Sequence, residues 1–61
     1  MSSIVYRYVQ RNGNNKRFDN KVEVEAENVS EGLVKAAEYA LSKLPTGHWV
    51  ESVEFWEVSR P

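Results

Sequence analysis

The segment from residue 21 to residue 44 changes its hydrophobic period once, and this change limits the fold more than any other feature of the sequence. In residues 21–27, valine and alanine alternate with glutamate, a pattern typical of an antiparallel strand with one face in water. After Asn28, apolar residues recur at spacings of three and four, which predicts an amphipathic helix. The apolar stripe of this helix comprises Val29, Leu33, Ala36, Ala37, Ala40, Leu41 and Leu44.

The ends of this helix carry their own signals. Asn28 is a favoured N-cap residue, and Glu31 three positions later completes a pattern like a capping box, with Ser30 as an alternative cap. Glu31 and Lys35 are placed to form a favourable i,i+4 ion pair. Pro45 disfavours a helical conformation in the residue before it, so we expect the helix to end before this proline.

Residues 4–11 are rich in β-branched and aromatic side chains and predict the first strand. The Asn12-Gly13 dipeptide is a strong signal for a two-residue type I′ hairpin turn, which would place Phe18 on the same face as Val5. A wider loop over residues 12–20 would pair the strands differently, and the sequence leaves this register open. Alternation separates a face with Val5, Arg7 and Val9 from a face with Ile4, Tyr6 and Tyr8.

Residues 48–58 predict a third strand after a turn at residues 45–47. Its alternation is broken, and a bulge, or a strand partly covered on both faces, would explain this. The two resulting sets are Val53 and Phe55 on one side and Val50, Trp56 and Val58 on the other. The element order ββαβ predicts an α+β fold over residues 1–61, with a three-stranded antiparallel sheet and one helix packed on one face.

The short length of the chain raises the question of what stabilises it. A domain of about 60 residues buries only about 60% of its unfolded surface, and natural chains of this size rely on disulfides, metals or partners. The 61 residues include no cysteine. We therefore weigh a homodimer or a bound partner equally with a monomer held by an aromatic-rich core. We see no signal peptide and no apolar run of about 20 residues, and a reducing, cytoplasmic compartment suits the composition.

Residues that could carry out catalysis are scarce. His48 is the single imidazole, and no glycine-rich loop precedes the helix, so neither a nucleophilic triad nor a phosphate-binding loop is indicated. Glu23, Glu25 and Glu27 share a face, but they are spread along a row, whereas a hard cation needs oxygens that converge on one point. We expect a protein that is not an enzyme and holds neither metal nor cofactor.

Basic residues are concentrated in the first third of the chain. Residues 1–21 hold five basic residues and one acidic residue, whereas residues 22–61 hold three basic and eight acidic ones. Nucleic-acid-binding sites combine cations, which contact phosphates, with aromatic rings, which stack on bases. The sequence pI, however, is about 5.7, whereas the pI of nucleic-acid-binding domains usually exceeds about 9. The alternative nucleic-acid site consists of Arg7, Arg11, Lys16 and Arg17 with Tyr6 and Tyr8.

The aromatic residues of the second half favour a protein partner instead. Tyr39 lies away from the apolar stripe, and a helix this rich in alanine cannot cover every ring of the third strand. Partly exposed aromatics are typical interface anchors, although a strand that wraps its rings around the sheet edge would leave Tyr39 as one ordinary exposed aromatic. We predict a small binding or regulatory protein that acts through a protein partner or self-association, for example by main-chain pairing at an open sheet edge. The candidate partner-binding residues are Tyr39, Trp49, Phe55 and Trp56.

The stretch of residues 22–39, followed by Pro45-Thr46-Gly47 and by residues 50–53, resembles small phage host-takeover proteins such as the T7-type inhibitors of host RNA polymerase. The resemblance covers half of the chain and follows the order strand, capped helix, Pro-x-Gly turn, strand. It implies a phage or mobile-element protein that binds a host macromolecule, with inhibition of host RNA polymerase as an alternative function. The inhibitory arginines of the family lie in its last strand, where this chain has Glu51-Ser52-Val53-Glu54, so we carry over no functional residue.

Overall fold

The computed structural model describes residues 2–60 and confirms the predicted α+β architecture. Its elements are β1 (Ser2–Arg11), β2 (Arg17–Ala26), α1 (Val29–Ser42) and β3 (Trp49–Arg60). The strands form one antiparallel sheet in the order β2-β1-β3, so β1 is central and the other two strands are edges. The helix packs on one face of the sheet, the helix-facing side. We call the opposite face the open face.

The loop between β1 and β2 spans residues 12–16. The two-residue turn is therefore wrong, and the wider loop predicted over residues 12–20 is too long by the four residues with which β2 begins. The Oδ1 atom of Asn12 accepts hydrogen bonds from the backbone N–H groups of Asn14 (2.9 Å) and Lys16 (3.0 Å). Asn15 has a φ of 63°, a left-handed conformation that asparagine tolerates. The resulting register is continuous along the whole of β2. It places Phe18, Val22 and Val24 opposite Gln10, Tyr6 and Ile4, on the helix-facing side.

The helix begins and ends where the sequence predicts. Asn28 caps it, with its Oδ1 accepting a hydrogen bond from the backbone N–H of Glu31 (2.8 Å). The Glu31 carboxylate lies 3.3 Å from the Nζ of Lys35, which confirms the i,i+4 pair. The last helical residue precedes Pro45 by three positions. No helix within residues 2–60 is long and apolar enough to cross a membrane.

One glycine sets the distance between the helix and the sheet. Tyr6 of β1 is fully buried, and its hydroxyl donates a hydrogen bond to the carbonyl of Val29 in the first turn of α1. A Cβ added at Gly32 would lie only 2.8 Å from Cε1 of the Tyr6 ring. The close approach of α1 to β1 therefore requires glycine at this position.

The predicted apolar stripe of the helix needs correction because the contact is centred on its smallest residues. Ala36 and Ala40 are buried as predicted, and Gly32, one turn earlier, is buried with them. Larger side chains of the predicted stripe flank this line and are exposed, because the sheet lies directly under the small residues. These exposed residues are Val29, Leu33 and Leu41.

The hydrophobic core lies on the helix-facing side of β1. Its buried residues are Ile4, Tyr6, Ala26 and Ala36, with the half-buried Val22, Val24 and Val53 packed against them. The ring of Phe55 meets that of Tyr6 edge to face, with centroids 6.2 Å apart. Burying these side chains provides the main stabilisation of so small a domain.

Strand β3 pairs with β1 through register shifts at three places, which favours a bulge as the explanation of its broken alternation and contradicts the predicted separation of Val50 and Val58 from Val53 and Phe55. The shifts restore the phase of the broken alternation, so that the β3 residues opposite the helix-facing residues of β1 are all apolar. These residues are Val50, Val53, Phe55 and Val58. Trp49 lies opposite Arg11, on the open face, and Trp56 is the extra residue at the bulge between the pairs of Val5 and Tyr6.

Candidate protein-binding surfaces

One group of exposed apolar side chains lies on one flank of α1 and on the helix-facing side of β3. Five of its side chains are between 38% and 60% exposed, which is high for residues of this size and type. We call this surface the apolar flank. It consists of Val29, Leu33, Leu41, Phe55 and Val58.

The two flanks of the helix can be assigned from one hydrogen bond. The Nζ atom of Lys35 donates to the backbone carbonyl of Glu25 in β2 (2.7 Å), so this flank of the helix lies over β2. Leu33 and Leu41 lie on the opposite side of the buried line of small residues, since successive residues of a helix are separated by about 100°. The helix contribution to the apolar flank therefore faces β3.

Phe55 connects the helix and strand parts of this surface. Its ring contacts Tyr6, whose hydroxyl reaches Val29, while 45% of Phe55 is exposed. Phe55 was a predicted partner-binding residue, and the structure places it at the edge of the core with its outer side free. Apolar patches of this kind mark sites of protein interaction.

Trp56, a second predicted partner-binding residue, lies on the open face between two cations. The Cζ atom of Arg7 is 5.1 Å from the centroid of its ring and the Nζ of Lys21 is 4.5 Å from it. Arg7 also forms an ion pair with Glu54 at 2.7 Å. The ring of this β3 residue is thus contacted by cations from both β1 and β2.

Trp49 lies at the other end of the open face and is half exposed. Its cross-strand neighbour Arg11 donates from Nε to Oε1 of Glu51 at 2.6 Å and from Nη1 to the carbonyl of Asn15 at 3.0 Å. The two tryptophans therefore occupy a mixed-charge surface. They are separated from the apolar flank by the thickness of the sheet.

Tyr39, the remaining predicted partner-binding residue, lies on the β2 side of the helix, one turn after Lys35. It is half exposed, and the Nζ of Lys43 lies 5.6 Å from the centroid of its ring. Burial raises the pKa of Tyr8 above its usual value of 10.0, and the proximity of Tyr39 raises it further.

The structure places the residues of the predicted nucleic-acid site on three different parts of the molecule. Tyr6 and Tyr8 are 0% and 7% exposed on the helix-facing side, so their rings are closed to stacking with bases. Arg7 and Arg11 project from the open face toward glutamates of β3. Lys16 and Arg17 are exposed at the hairpin end, where Arg17 pairs with Asp19 at 3.1 Å.

His48 lies immediately before β3 among ordinary structural contacts. Its Nδ1 atom is 2.9 Å from Nε2 of Gln10, and its ring stacks on Phe18 with centroids 6.1 Å apart. Within residues 2–60 there is no group of three or more residues that could hold a metal ion, and no enclosed pocket.

The helix part of the apolar flank was missed by sequence reasoning because its leucines were assigned to the buried stripe. A signal for the correct assignment is present in the sequence. Gly32, Ala36 and Ala40 follow one another at four-residue spacing, and small residues at this spacing allow close approach of a helix. The leucines beside this line must then point away from its centre.

Comparison of the chain with known protein families, with curated proteins and with solved structures found no match.

Proposed function

We propose that the protein is a non-catalytic binding protein whose apolar flank docks against an apolar segment of another protein. The observation that carries this proposal is the exposure of five large apolar residues on the β3 flank of α1 and on the helix-facing side of β3. Transfer of such surface from water provides about 25 cal/mol per Å². A partner that covers the flank would therefore add stability that a 61-residue domain lacks on its own.

The shape of β3 favours binding through side chains rather than through main-chain pairing at this edge. Its register shifts twist the strand and interrupt the regular row of backbone groups that a new strand would need. Phe55 and Val58 nevertheless project together beside the helix. A partner segment laid across the flank would contact these side chains without joining the sheet.

The proposal agrees in class with the resemblance to phage host-takeover proteins, which implies binding to a host macromolecule in a cytoplasmic compartment. It is better supported than nucleic-acid binding through the basic hairpin. Nucleic-acid binding would require exposed rings beside free cations, whereas Tyr6 and Tyr8 are buried and Arg7 and Arg11 are paired with glutamates.

The test compares two surfaces of the same protein. A partner isolated with the wild-type chain is purified, and its Kd is measured by titration against the Leu33→Gln/Leu41→Gln double variant. We expect affinity to fall at least about tenfold, because burial of each leucine contributes about 1.5–3 kcal/mol and 1.4 kcal/mol is a factor of ten. Glutamine is a good helix former, so the fold should persist, as circular dichroism would verify.

The matched variant is Trp49→Gln, which removes a similarly exposed apolar side chain from the open face. We expect it to bind the partner as the wild-type chain does. Normal binding by the double leucine variant, with loss of binding by Trp49→Gln, would contradict the proposal and place the interface on the open face.

A further inference from the structure

Strand β2 is an open edge of unusual regularity. Within residues 2–60 it has β1 on one side and no strand on the other, and its ten residues pair with β1 without a register shift. An edge of this kind presents a straight row of backbone N–H and C=O groups, which is a template for pairing with a further strand. Natural proteins usually interrupt such edges, and β3 shows the interruption that β2 lacks.

The charges on the open face of β2 alternate in sign. Successive side chains on this face come from every second residue, and here they are basic, acidic, basic and acidic. The four residues are Arg17, Asp19, Lys21 and Glu23. All four are exposed. When a second copy of the strand is laid antiparallel beside the first, its charges run in the reverse order. Each basic residue of one copy then faces an acidic residue of the other.

The register of such a pairing can be derived from the charges. With a two-fold axis through Asn20, Arg17 lies opposite Glu23 of the second copy and Asp19 lies opposite Lys21. Symmetry repeats both pairs, so four cross-strand pairs of opposite charge form. On the other side of the strands, Phe18 lies opposite Val22, two half-buried residues of the helix-facing side. Opposite charges and apolar pairs directly across antiparallel strands are both stabilising.

Neighbouring registers are unfavourable. An axis at Lys21 would pair Arg17 with Glu25, but it would place the two copies of this lysine against each other and Asp19 against Glu23, and it would bring the carbonyl covered by Lys35 into the overlap. An axis at Asp19 would oppose the two aspartates and set Arg17 against Lys21. Like charges directly opposite destabilise a strand pair. Moving the axis to Phe18 would leave only residues 17–19 of each β2 overlapping, compared with residues 17–23 for the axis at Asn20. Moving it to Val22 would lengthen the overlap, but it would set Asp19 against Glu25, whose carbonyl Lys35 covers.

Other parts of the molecule fit this register. Lys35 covers the carbonyl of Glu25, beyond the end of the overlap, so the covered part of the edge and the part required for pairing do not coincide. Strands are about 4.8 Å apart, which separates the two β1 strands by about 14 Å. Packed helices need about 8–10 Å, so both helices fit on the same side.

We propose that two copies of this protein associate through β2, antiparallel and with the two-fold axis at Asn20, to form one continuous six-stranded sheet. The dimer uses neither Phe55 nor the leucines of the apolar flank, so it does not depend on the proposed function. It leaves one apolar flank at each outer end of the sheet, which would present two equivalent docking surfaces to partners.

Sedimentation measurements on the full chain test the proposal by charge reversal and mixing. Lys21→Glu places a glutamate opposite Asp19 of the second copy, and Asp19→Lys places a lysine opposite Lys21. We expect each variant alone to self-associate at least about tenfold more weakly than the wild-type chain. When the two variants are mixed, every cross-strand pair is again of opposite sign, so we expect the mixture to dimerise although neither component does.

The mixing step excludes loss of folding as the cause, because an unfolded variant would not be rescued by a second variant. Circular dichroism of each chain provides a separate check, and Leu33→Gln/Leu41→Gln should dimerise like the wild-type chain. The proposal is overturned if the wild-type chain remains monomeric at millimolar concentration. It is also overturned if the charge reversals leave dimerisation unchanged, or if the mixture associates no better than its components.

Discussion

The two edge strands of the sheet pair with the same central strand but differ in regularity. β2 follows β1 residue by residue over its whole length, whereas β3, two residues longer, shifts its register at three places. The shifts collect the apolar residues of β3 on the helix-facing side and place Trp49 and Trp56 on the open face. A regular edge offers its backbone to a partner, and a bulged edge offers its side chains. One small sheet can therefore support two kinds of recognition.

The largest effect is expected from a substitution that disturbs the packing of α1 on β1, the central strand with which both edge strands pair. Gly32→Ala adds a methyl group 2.8 Å from the ring of the fully buried Tyr6. Alanine favours the helix by about 1 kcal/mol, while overpacking a core costs about 1–3 kcal/mol. Because Tyr6 is fully buried, we expect the overpacking cost to lie near the upper end of this range, which leaves a net loss of about 2 kcal/mol in the free energy of unfolding, measured by urea denaturation.

The control for this prediction is Ser30→Ala, an exposed position of the same helix, which should change stability by less than about 0.5 kcal/mol. Hydrogen exchange would show whether the amides of β2 and β3 lose protection together in the glycine variant. If Gly32→Ala were as stable as the wild-type chain or more so, the close contact between α1 and β1 would be wrong.

The difference between the edges also shows which parts of the molecule can be predicted from sequence. The alternation of β2 and the Asn28 cap depend on neighbours within a few residues, and both were predicted. A bulge in β3 was one of two explanations that the sequence offered for Val53 and Val58 falling out of phase, and the positions of the register shifts were not predicted. Their positions depend on pairing with β1, which is a contact between residues distant in the chain.

The hairpin register and the candidate site depended on contacts that no local pattern contains. Asn12-Gly13 favours a two-residue turn, but the side chain of Asn12 bonds the amides of Asn14 and Lys16 and stabilises a wider loop. The exposure of Leu33 follows from the proximity of Gly32 to Tyr6. The resulting apolar flank is therefore a product of tertiary packing, and only Phe55 among its members was predicted as a partner-binding residue.

A second prediction concerns the two tyrosines of β1 that lie between the edges. Burial raises the pKa of both Tyr6 and Tyr8, so the folded chain holds their protons at a pH where the unfolded chain has lost them. Their contribution to stability is complete below about pH 10 and is lost as the pH rises above it. We expect the free energy of unfolding to fall by at most about 1.4 kcal/mol per pH unit for each tyrosine.

Urea denaturation at several alkaline pH values, with tyrosinate absorbance recorded on the folded protein, measures this effect. Tyr6→Phe should make the decline less steep, since it removes one of the two shifted groups. Tyr39→Phe should have a smaller influence, through Tyr8 alone. A stability that does not change above about pH 10, or a decline equally steep in Tyr6→Phe, would contradict the assignment of buried tyrosines to the centre of the sheet.

The smallest expected effect tests whether the bulge of β3 links the two edges across the open face. Trp56 is displaced from the regular pairing, and its ring reaches Lys21 of β2, with 4.5 Å between Nζ and the ring centroid. Lys21→Met should lower the free energy of unfolding by about 0.5–1 kcal/mol, measured at concentrations where sedimentation detects no dimer.

Lys16→Met is the comparison, because Lys16 lies farther, at 5.2 Å, from the ring of Phe18. Tryptophan is the stronger acceptor for a cation, so the loss should be smaller for Lys16. Equal losses for the two lysines would mean that Trp56 does not connect the edges, and that the bulge serves only to position the apolar side chains of β3.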